Sequence, residues 1–572
     1  MSWLCNDRYK KVILLTLVFF GLLLRLWGIK QDLPYNYYGD ESDLIYYSLK
    51  FGTGDLNPHW FVWPTLFPYF LFFSFCIFYV VGMVSGWFNN TTDFLYLYFQ
   101  DPSTFFLIGR ITAAILGTTS IFLVYSLAKK TYNENTGLIS AAIFTFLPLP
   151  VEYSHYAVVD TPLVFMILLS FIFIINIFLY GRLKDYLFSG FFSGLAMGTK
   201  YIPIFLVLPI FLAHFFAHHK KKLFGVVFNK KIILCFLFMF LGFFLACPFA
   251  IVDFPKFISD IKGQILCAKI GTFGWEKVNP YVYHLTYNLS NALGLPLLII
   301  AAISLLYLTV RRKKIDLILF IFPTVYFLLF AGLDKNPYAR FMLPVIPFLT
   351  IFSGSFLSGL KDAFSKRYRK TNAYFSIFLV LLLLIPIFKT IKKDLIFSLP
   401  DTATLAKEWI EKNIPVGSKI LLSPAGPPLV QSPTRIRLEA EQKPKEQLRY
   451  GYHKKRTFFY QVKEKAAAQR INYELTYLSQ PIGYLEGEYG YEKIMSETQR
   501  AIKDYKEQYD FAIISDALLY KLLEYPKESV PKKYWSLRNF YENIFNNYQP
   551  IKTFLAQDNV SKGPTIRIYK LR

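Results

Sequence analysis

The chain has 572 residues, 54% of them hydrophobic and 19% aromatic, and its mean hydropathy is +0.33. A soluble chain of that length rarely carries so much apolar residue, so membrane embedding is the first inference. The net charge of +24 would suit a nucleic-acid binder, but the basic residues cluster between apolar runs, which marks cytoplasmic loops and argues against nucleic acid as a partner.

Lys10-Lys11 precede an apolar stretch as in a signal peptide, yet no small-residue cleavage site follows and Arg25 interrupts the run. An uncleaved anchor over 11–29 is expected, with the N-terminus cytoplasmic. Further spans are expected near 105–128, 136–153, 161–180, 232–252, 288–309, 315–333, 341–360 and 374–391. The stretch 187–217 is too long for one helix and contains Lys200 and Pro203, so it should be two helices turning near Lys200. The total is about 11 spans. The clusters Lys129-Lys130, Lys220-Lys221-Lys222, Lys230-Lys231, Arg311-Arg312-Lys313-Lys314 and Lys366-Arg367-Tyr368-Arg369-Lys370 then all fall inside. Residues 63–87 are apolar enough to cross, but crossing would move every later cluster outside. A re-entrant or juxtamembrane helix along the outer interface is therefore expected there. The five cysteines, Cys5, Cys76, Cys235, Cys247 and Cys267, lie mostly in apolar segments without metal-ligand spacing.

This organisation gives a transmembrane catalytic domain over 1–394, with a first exterior loop at 30–104 and a large one at 253–287. From 395 to 572 the character changes. Ala403 to Ile414 and Glu492 to Gln508 read as helices, and Lys419 to Leu422, Tyr509 to Ser515 and Thr565 to Tyr569 as strands. A small α/β domain of about 170 residues is expected, on the outside after an odd number of spans. It has no Gly-rich phosphate loop and no catalytic constellation, which favours a docking or packing role.

The exterior face collects ionisable groups that a membrane protein does not keep without use. Gly39-Asp40-Glu41-Ser42-Asp43 follows the first span, with His59 in the same loop. Glu152, His155 and Asp160 come from the next exterior loop, where Asp160 ahead of Pro162 also reads as a helix cap. Closely spaced carboxylates in apolar surroundings are the usual way to make a base that works near neutral pH. Arg25, Arg110, Lys200, Lys335 and Arg340 lie on this same face against the positive-inside bias. Cations converging there beside carboxylates suit an anionic ligand such as a lipid phosphate. In the loop 253–287, Trp275, Glu276, Tyr281 and His284 interleave aromatic and polar groups, as a sugar-stacking lid or an interfacial aromatic belt would. His214, His218 and His219 precede a lysine cluster at a helix end, where a solvated terminus is favoured over a metal.

Taken in order, these motifs resemble the GT-C membrane glycosyltransferases, in the branch of the protein mannosyltransferases and lipid A aminoarabinose transferases. The resemblance covers roughly residues 10–390. It rests on Gly39-Asp40-Glu41, Trp63-Pro64, Gly109-Arg110 and Tyr156-Ala157-Val158-Val159-Asp160. Gly194-Leu195-Ala196-Met197-Gly198-Thr199-Lys200 and the stretch from Tyr338 to Pro347 complete it. It implies an α-helical polytopic fold, a polyprenyl-phosphate sugar donor, inversion at the anomeric carbon, and Asp40 as base or central carboxylate. One departure is that aminoarabinose transferases carry an acidic-basic pair where this chain has Val62-Trp63, so a zinc site or contact depending on that pair is not carried over.

The chemistry assigns roles consistent with that resemblance. Asp40 is the expected base with Glu41 tuning it, and Asp160 orients the acceptor or the sugar. Arg340 with Lys200 or Lys335 is expected on the departing phosphate, with Arg110 nearby. A divalent cation shared by Asp40 and Asp160 is left open, because such carboxylates can hold one or work without it. The acceptor, whether lipid, glycan or protein, is open too. The competing class is a transporter or flippase of lipid-linked sugars, but no internal repeat is found and the acids lie at the membrane edge. An enzyme of the plasma (inner) membrane is the better reading.

Overall fold

The computed structural model describes residues 7–218, 225–226, 228–271, 275, 278–365, 371–442, 453–478, 491–517, 520–557 and 560–572. The chain is mostly helical up to Phe397, and a sheet follows among the helices beyond it. Among the described residues, Leu66–Val84, Ser103–Thr131, Asp160–Tyr180, Lys314–Ala331 and Ala373–Phe397 are each long and apolar enough to cross a bilayer. Several such helices in one chain make it a multi-pass membrane protein. The remaining expected spans are helical too, at Asp7–Leu26, Glu134–Phe146, Leu183–Met197, Val207–Ala217, Lys230–Ala246, Leu295–Arg311 and Ile346–Ser365.

The structure departs from the expected spans where glycine and proline intervene. Segment 288–309 is not straight: the chain bends by 117° between Pro280–Leu293 and Leu295–Arg311. Gly294 takes φ +78° at the bend, and Pro296 opens the helix after it. The span expected from 341 starts at Ile346, after a short 3-10 turn, Ala339–Met342, with Pro344 and Pro347 at the break. The loops expected at 30–104 and 253–287 are not irregular. The former contains helices Gly39–Lys50, Leu66–Val84 and Thr91–Gln100, and the latter contains Phe254–Ile270, whose charges hid its period.

Two helices touch backbone to backbone beneath the turn at Lys200. A Cβ on Gly190 would lie 1.9 Å from the Cys235 carbonyl oxygen, one on Gly194 2.1 Å from that of Met239, and one on Gly242 2.3 Å from that of Phe191. Small residues at four-residue spacing permit this approach between Leu183–Met197 and Lys230–Ala246 in lipid. The contact fixes the end of Leu183–Met197, and with it the position of Lys200. Nearby, His214 donates or accepts at both ring nitrogens, to Tyr186 Oη at 2.6 Å and to the Val226 carbonyl at 3.0 Å, a structural role. His219 lies outside the described residues.

The C-terminal sheet has six strands: β1 (Lys419–Leu422), β2 (Val430–Gln431), β3 (Asn472–Tyr477), β4 (Phe511–Ser515), β5 (Lys552–Phe554) and β6 (Ile566–Lys570). Their order is β2-β3-β1-β4-β6-β5, with β1 parallel to β3 and β4, and β6 antiparallel to β4 and β5. Alternate residues serve two layers. Ile420, Leu422 and Ile513 pack on Ala406 and Ile410 of helix Thr402–Asn413, while Leu421, Ala512 and Ile514 pack on Leu537, Phe540 and Ile544 of Trp535–Asn547. The helix expected from Glu492 to Gln508 is two, Tyr491–Ile502 and Tyr505–Gln508.

The glycine contact sets a test. Gly194→Val forces two backbones apart and is expected to destabilise the fold by about 1–3 kcal/mol. Thermal unfolding of the detergent-solubilised protein reads this as a lowered Tm, and an unchanged Tm would count against the packing described.

Candidate active site

The acidic loop is held by a buried pair. Arg110 donates through Nε to Glu41 Oε1 and through Nη2 to Glu41 Oε2, both at 2.8 Å. Glu41 is 0% exposed and Arg110 1%. The guanidinium also donates to the carbonyls of Ile29 and Gln31, at 2.9 and 2.8 Å, and Glu41 Oε1 accepts the Ala157 backbone N–H at 2.8 Å. Three chain segments therefore close on one ion pair. Gly109 allows it, because a Cβ there would lie 2.5 Å from the Ala157 methyl.

Asp40, the preceding residue, faces the other way. Its carboxylate pairs with Arg340 Nη1, and the two side chains keep 28% and 20% exposure. Arg340 Nη1 also donates to Tyr38 Oη at 3.1 Å, and Arg340 Nε is buried without an acceptor. Asp160 accepts from Lys200 Nζ at 2.9 Å. It is not a cap: the helix is capped at Val159 and no side chain bonds the first-turn amides. Arg340 feels the charges of both Asp40 and Asp160, so the two ion pairs form one constellation. Lys200 also lies over the Phe341 ring at 5.5 Å.

Two members of this constellation were not singled out from sequence. Tyr38 stacks on Tyr156, centroids 4.6 Å apart, and burial pushes its phenol up to about 12 while Arg340 pulls it down. It is thus a protonated hydrogen-bond donor. Asp334 is buried in the loop before Arg340, its carboxyl raised by burial and lowered less by Asn336, Lys200 and Arg340. An aromatic run ahead of Asp40 and an acid beside Lys335 were the available signals.

The other expected site residues lie apart from this cluster. Lys335 is exposed, and its backbone N–H bonds the Ala268 carbonyl at 2.9 Å. Tyr281 Oη donates to the Leu328 carbonyl at 2.8 Å, and His284 Nε2 meets that of Ala331 at 3.1 Å. Asn288, which bonds His284, donates to the Pro337 carbonyl at 2.9 Å, so this region braces the loop carrying Asp334 and Arg340. Trp275 packs edge-on against Tyr283 at 5.2 Å, and Glu276 lies outside the described residues. His59 sits between Asp55 and Asp253, at 3.2 and 3.1 Å. His155 is fully buried with Nε2 2.8 Å from the Trp27 carbonyl, and desolvation lowers it to about 4.

Among the described residues, no three His, Cys, Asp or Glu side chains gather as metal ligands would. Asp40 and Asp160 each already face a fixed cation.

Residues 103–250 match the family model described as dolichyl-phosphate-mannose-protein mannosyltransferase. The apo oligosaccharyltransferase of Archaeoglobus fulgidus superposes with a TM-score of 0.52 at 12% identity, over 99% of this chain and 77% of that one. The same organism's AglB, solved with an inhibitory peptide and a dolichol-phosphate, gives 0.51 at 11% identity, over 96% and 80%. These two likenesses are of fold. YycA of Bacillus subtilis (strain 168), a provisionally named mannosyltransferase, is 31% identical over 93 residues. That stretch is 16% of this chain and 14% of YycA's length.

Asp43, at the exposed rim of the same helix, has its carboxyl pushed up to about 6 by loss of water and by the Asp40 charge. A carboxyl raised above its unfolded value stabilises the fold when protonated, and that contribution is lost as pH rises through about 6. Asp43→Asn should therefore raise Tm at pH 8 and leave it unchanged near pH 4. An equal Tm shift at both pH values would contradict this.

Proposed function

We propose that the chain is an inverting glycosyltransferase that moves a sugar from a polyprenyl-phosphate carrier to an acceptor at the exterior face of the plasma (inner) membrane. The observation that carries this reading is Arg340, paired with Asp40 through Nη1 while its Nε lies buried without an acceptor. A desolvated guanidinium donor with a lysine and a phenol in the same cluster is a receptor for phosphate oxygens. The matched family is described by a dolichyl-phosphate-mannose donor, and the AglB structure holds a dolichol-phosphate, so a polyprenyl-phosphate donor is the chemistry both support. The lysine and arginine clusters support a cytoplasmic opposite face, and with it about 11 spans, a cytoplasmic N-terminus and an exterior C-terminal domain. Leu66–Val84 then lies along the outer interface.

In the resting arrangement Arg340 covers Asp40. A phosphate arriving at Arg340 competes for the guanidinium and frees Asp40 to take the proton of the acceptor hydroxyl. The acceptor oxygen attacks the anomeric carbon opposite the phosphate, the bond from that carbon to the phosphate oxygen breaks, and the configuration inverts. The carrier leaves as polyprenyl phosphate, its charge held by Arg340 and Lys200. Asp160 and Tyr38 orient the sugar hydroxyls. Glu41 and Arg110, saturated by each other, position the base without touching substrate. Lys335 is the outermost cation on the carrier's approach, with Trp275 and Tyr281 on the neighbouring loop.

Asp40→Asn should lower release of polyprenyl phosphate from a labelled lipid-linked sugar by about 10²–10⁴-fold while membrane insertion is kept. Near-normal release by that variant would remove Asp40 from the role of base. Because Asp40 and Asp160 already face fixed cations, transfer should persist in EDTA. Loss in EDTA with recovery on adding Mg²⁺ or Mn²⁺ would bring a divalent ion into the site.

A further inference from the structure

The first loop is fastened to the turn at Lys200 by a short run of contacts. Tyr201, next to Lys200, donates from Oη to the Phe61 carbonyl at 2.9 Å. The Leu66 backbone N–H donates to the Gly198 carbonyl at 3.0 Å, and Thr65 Oγ1 to that of Ala246 at 2.7 Å. Phe61 is fully buried against Cys247 and Ala250, and its N–H donates to Asp260 Oδ2 at 2.7 Å. Residues 61–66 are thus tied both to the Lys200 turn and to residues 246–260.

Just ahead of that run stands His59, with a carboxylate at each ring nitrogen. Nδ1 is 3.1 Å from Asp253 Oδ2, and Nε2 is 3.2 Å from Asp55 Oδ2. An ionised carboxylate accepts hydrogen bonds and donates none. Both contacts are therefore made only by the imidazolium, which carries a proton on each nitrogen. In neutral imidazole one lone pair would face a carboxylate oxygen, and that contact would turn repulsive. Asn57 Nδ2 donates to the same Asp253 oxygen at 3.0 Å, and the His59 backbone N–H to Asn57 Oδ1 at 3.0 Å. His59 takes φ +48°, uncommon for a residue with a Cβ, and such a conformation persists where surrounding contacts hold it. Asp253 immediately precedes helix Phe254–Ile270, so one side chain joins the two loops. Among the described residues, the other charges beside this clamp are Asp260 and Lys256, paired with each other at 2.6 Å.

We infer that His59 is a positioning residue: as imidazolium it clamps residues 55–66 to Asp253 and so fixes the turn that carries Lys200, and as neutral imidazole it releases them. Histidine changes charge between about pH 5 and 8, so the clamp is closed on the acid side of that range and open on the alkaline side. Its bearing on transfer rests on the reading of Lys200 as a ligand of the phosphate. The clamp itself is tested without turnover, by hydrogen exchange of the full chain in detergent. Corrected for the intrinsic rate, amide protection in 55–66 and 198–204 should fall about tenfold from about pH 6 to about pH 8.5. His59→Gln, neutral throughout, should show the low protection at both pH values. His59→Lys, charged throughout, should show the high protection at both. Protection that does not change with pH in the wild type, or a pH dependence that survives in His59→Gln, overturns the inference. Release of polyprenyl phosphate from a labelled lipid-linked sugar then reads the consequence. At about pH 8.5, His59→Lys should have a kcat/KM about threefold above that of His59→Gln. The expected exchange pattern with equal kcat/KM would take Lys200 off the phosphate and leave the clamp standing.

Discussion

Glu41 and Arg110 form the joint on which this end of the helical domain is built. Taking two charges out of water is costly, and only a bidentate pair with every remaining lone pair and N–H satisfied offsets it. Here the arginine comes from the long helix Ser103–Thr131, the glutamate from the acidic loop, and the extra donor from Ala157 in the second exterior loop. Removing either charge would strand the other in the interior, at a cost of about 3–5 kcal/mol. The pair thus sets the spacing between two loops that also meet through apolar contacts such as Ile45 and Leu71 with Ala157.

Asp40 and Glu41 are adjacent and chemically alike, yet their surroundings separate their uses. One helix step turns Glu41 into the protein and leaves Asp40 at the edge of the cleft, where Arg340 reaches it from a loop 300 residues further along the chain. The rigid carboxylate holds the accessible one at a fixed distance from Asp160 and Lys200. This is the arrangement a site needs, with the reacting group placed by neighbours that do not move with it.

Much of this was legible in the sequence, because membrane proteins retain charges sparingly. Asp40, Asp160, Lys200 and Arg340 stood out as ionisable groups on the face where charge bias disfavours the cations, and the structure gathers those four. The partition of roles was not legible. Nothing in Gly39-Asp40-Glu41 says which acid is saturated by an arginine from another helix. Tyr38 was hidden among many aromatics, and Asp334 beside the more conspicuous Lys335. Span boundaries differ from the expected ones where backbone breaks decide geometry, at Gly294 and between Pro344 and Pro347, since a hydropathy reading averages over them. The Gly194 to Gly198 stretch has a packing role that pattern alone does not reveal, because it depends on Met239 and Ala246 of a partner helix.

The C-terminal domain belongs to the same argument. It grips the acidic loop from the side opposite Arg110: Lys562 pairs with Asp32 at 2.9 Å, and Lys407 lies over the Tyr35 ring at 5.0 Å. Residues 32–37 lead directly into Tyr38 and Asp40, so a shift of the domain would be felt at Asp40 before it reached Arg340 or Lys200. These contacts give the domain one physical consequence: it shares with Glu41 the work of holding Asp40 in place. With Asp40 as the proposed base, held between a membrane helix and the C-terminal domain, water can be kept from the cleft on both sides. That matters where a sugar on a phosphate must meet an acceptor hydroxyl before it meets solvent.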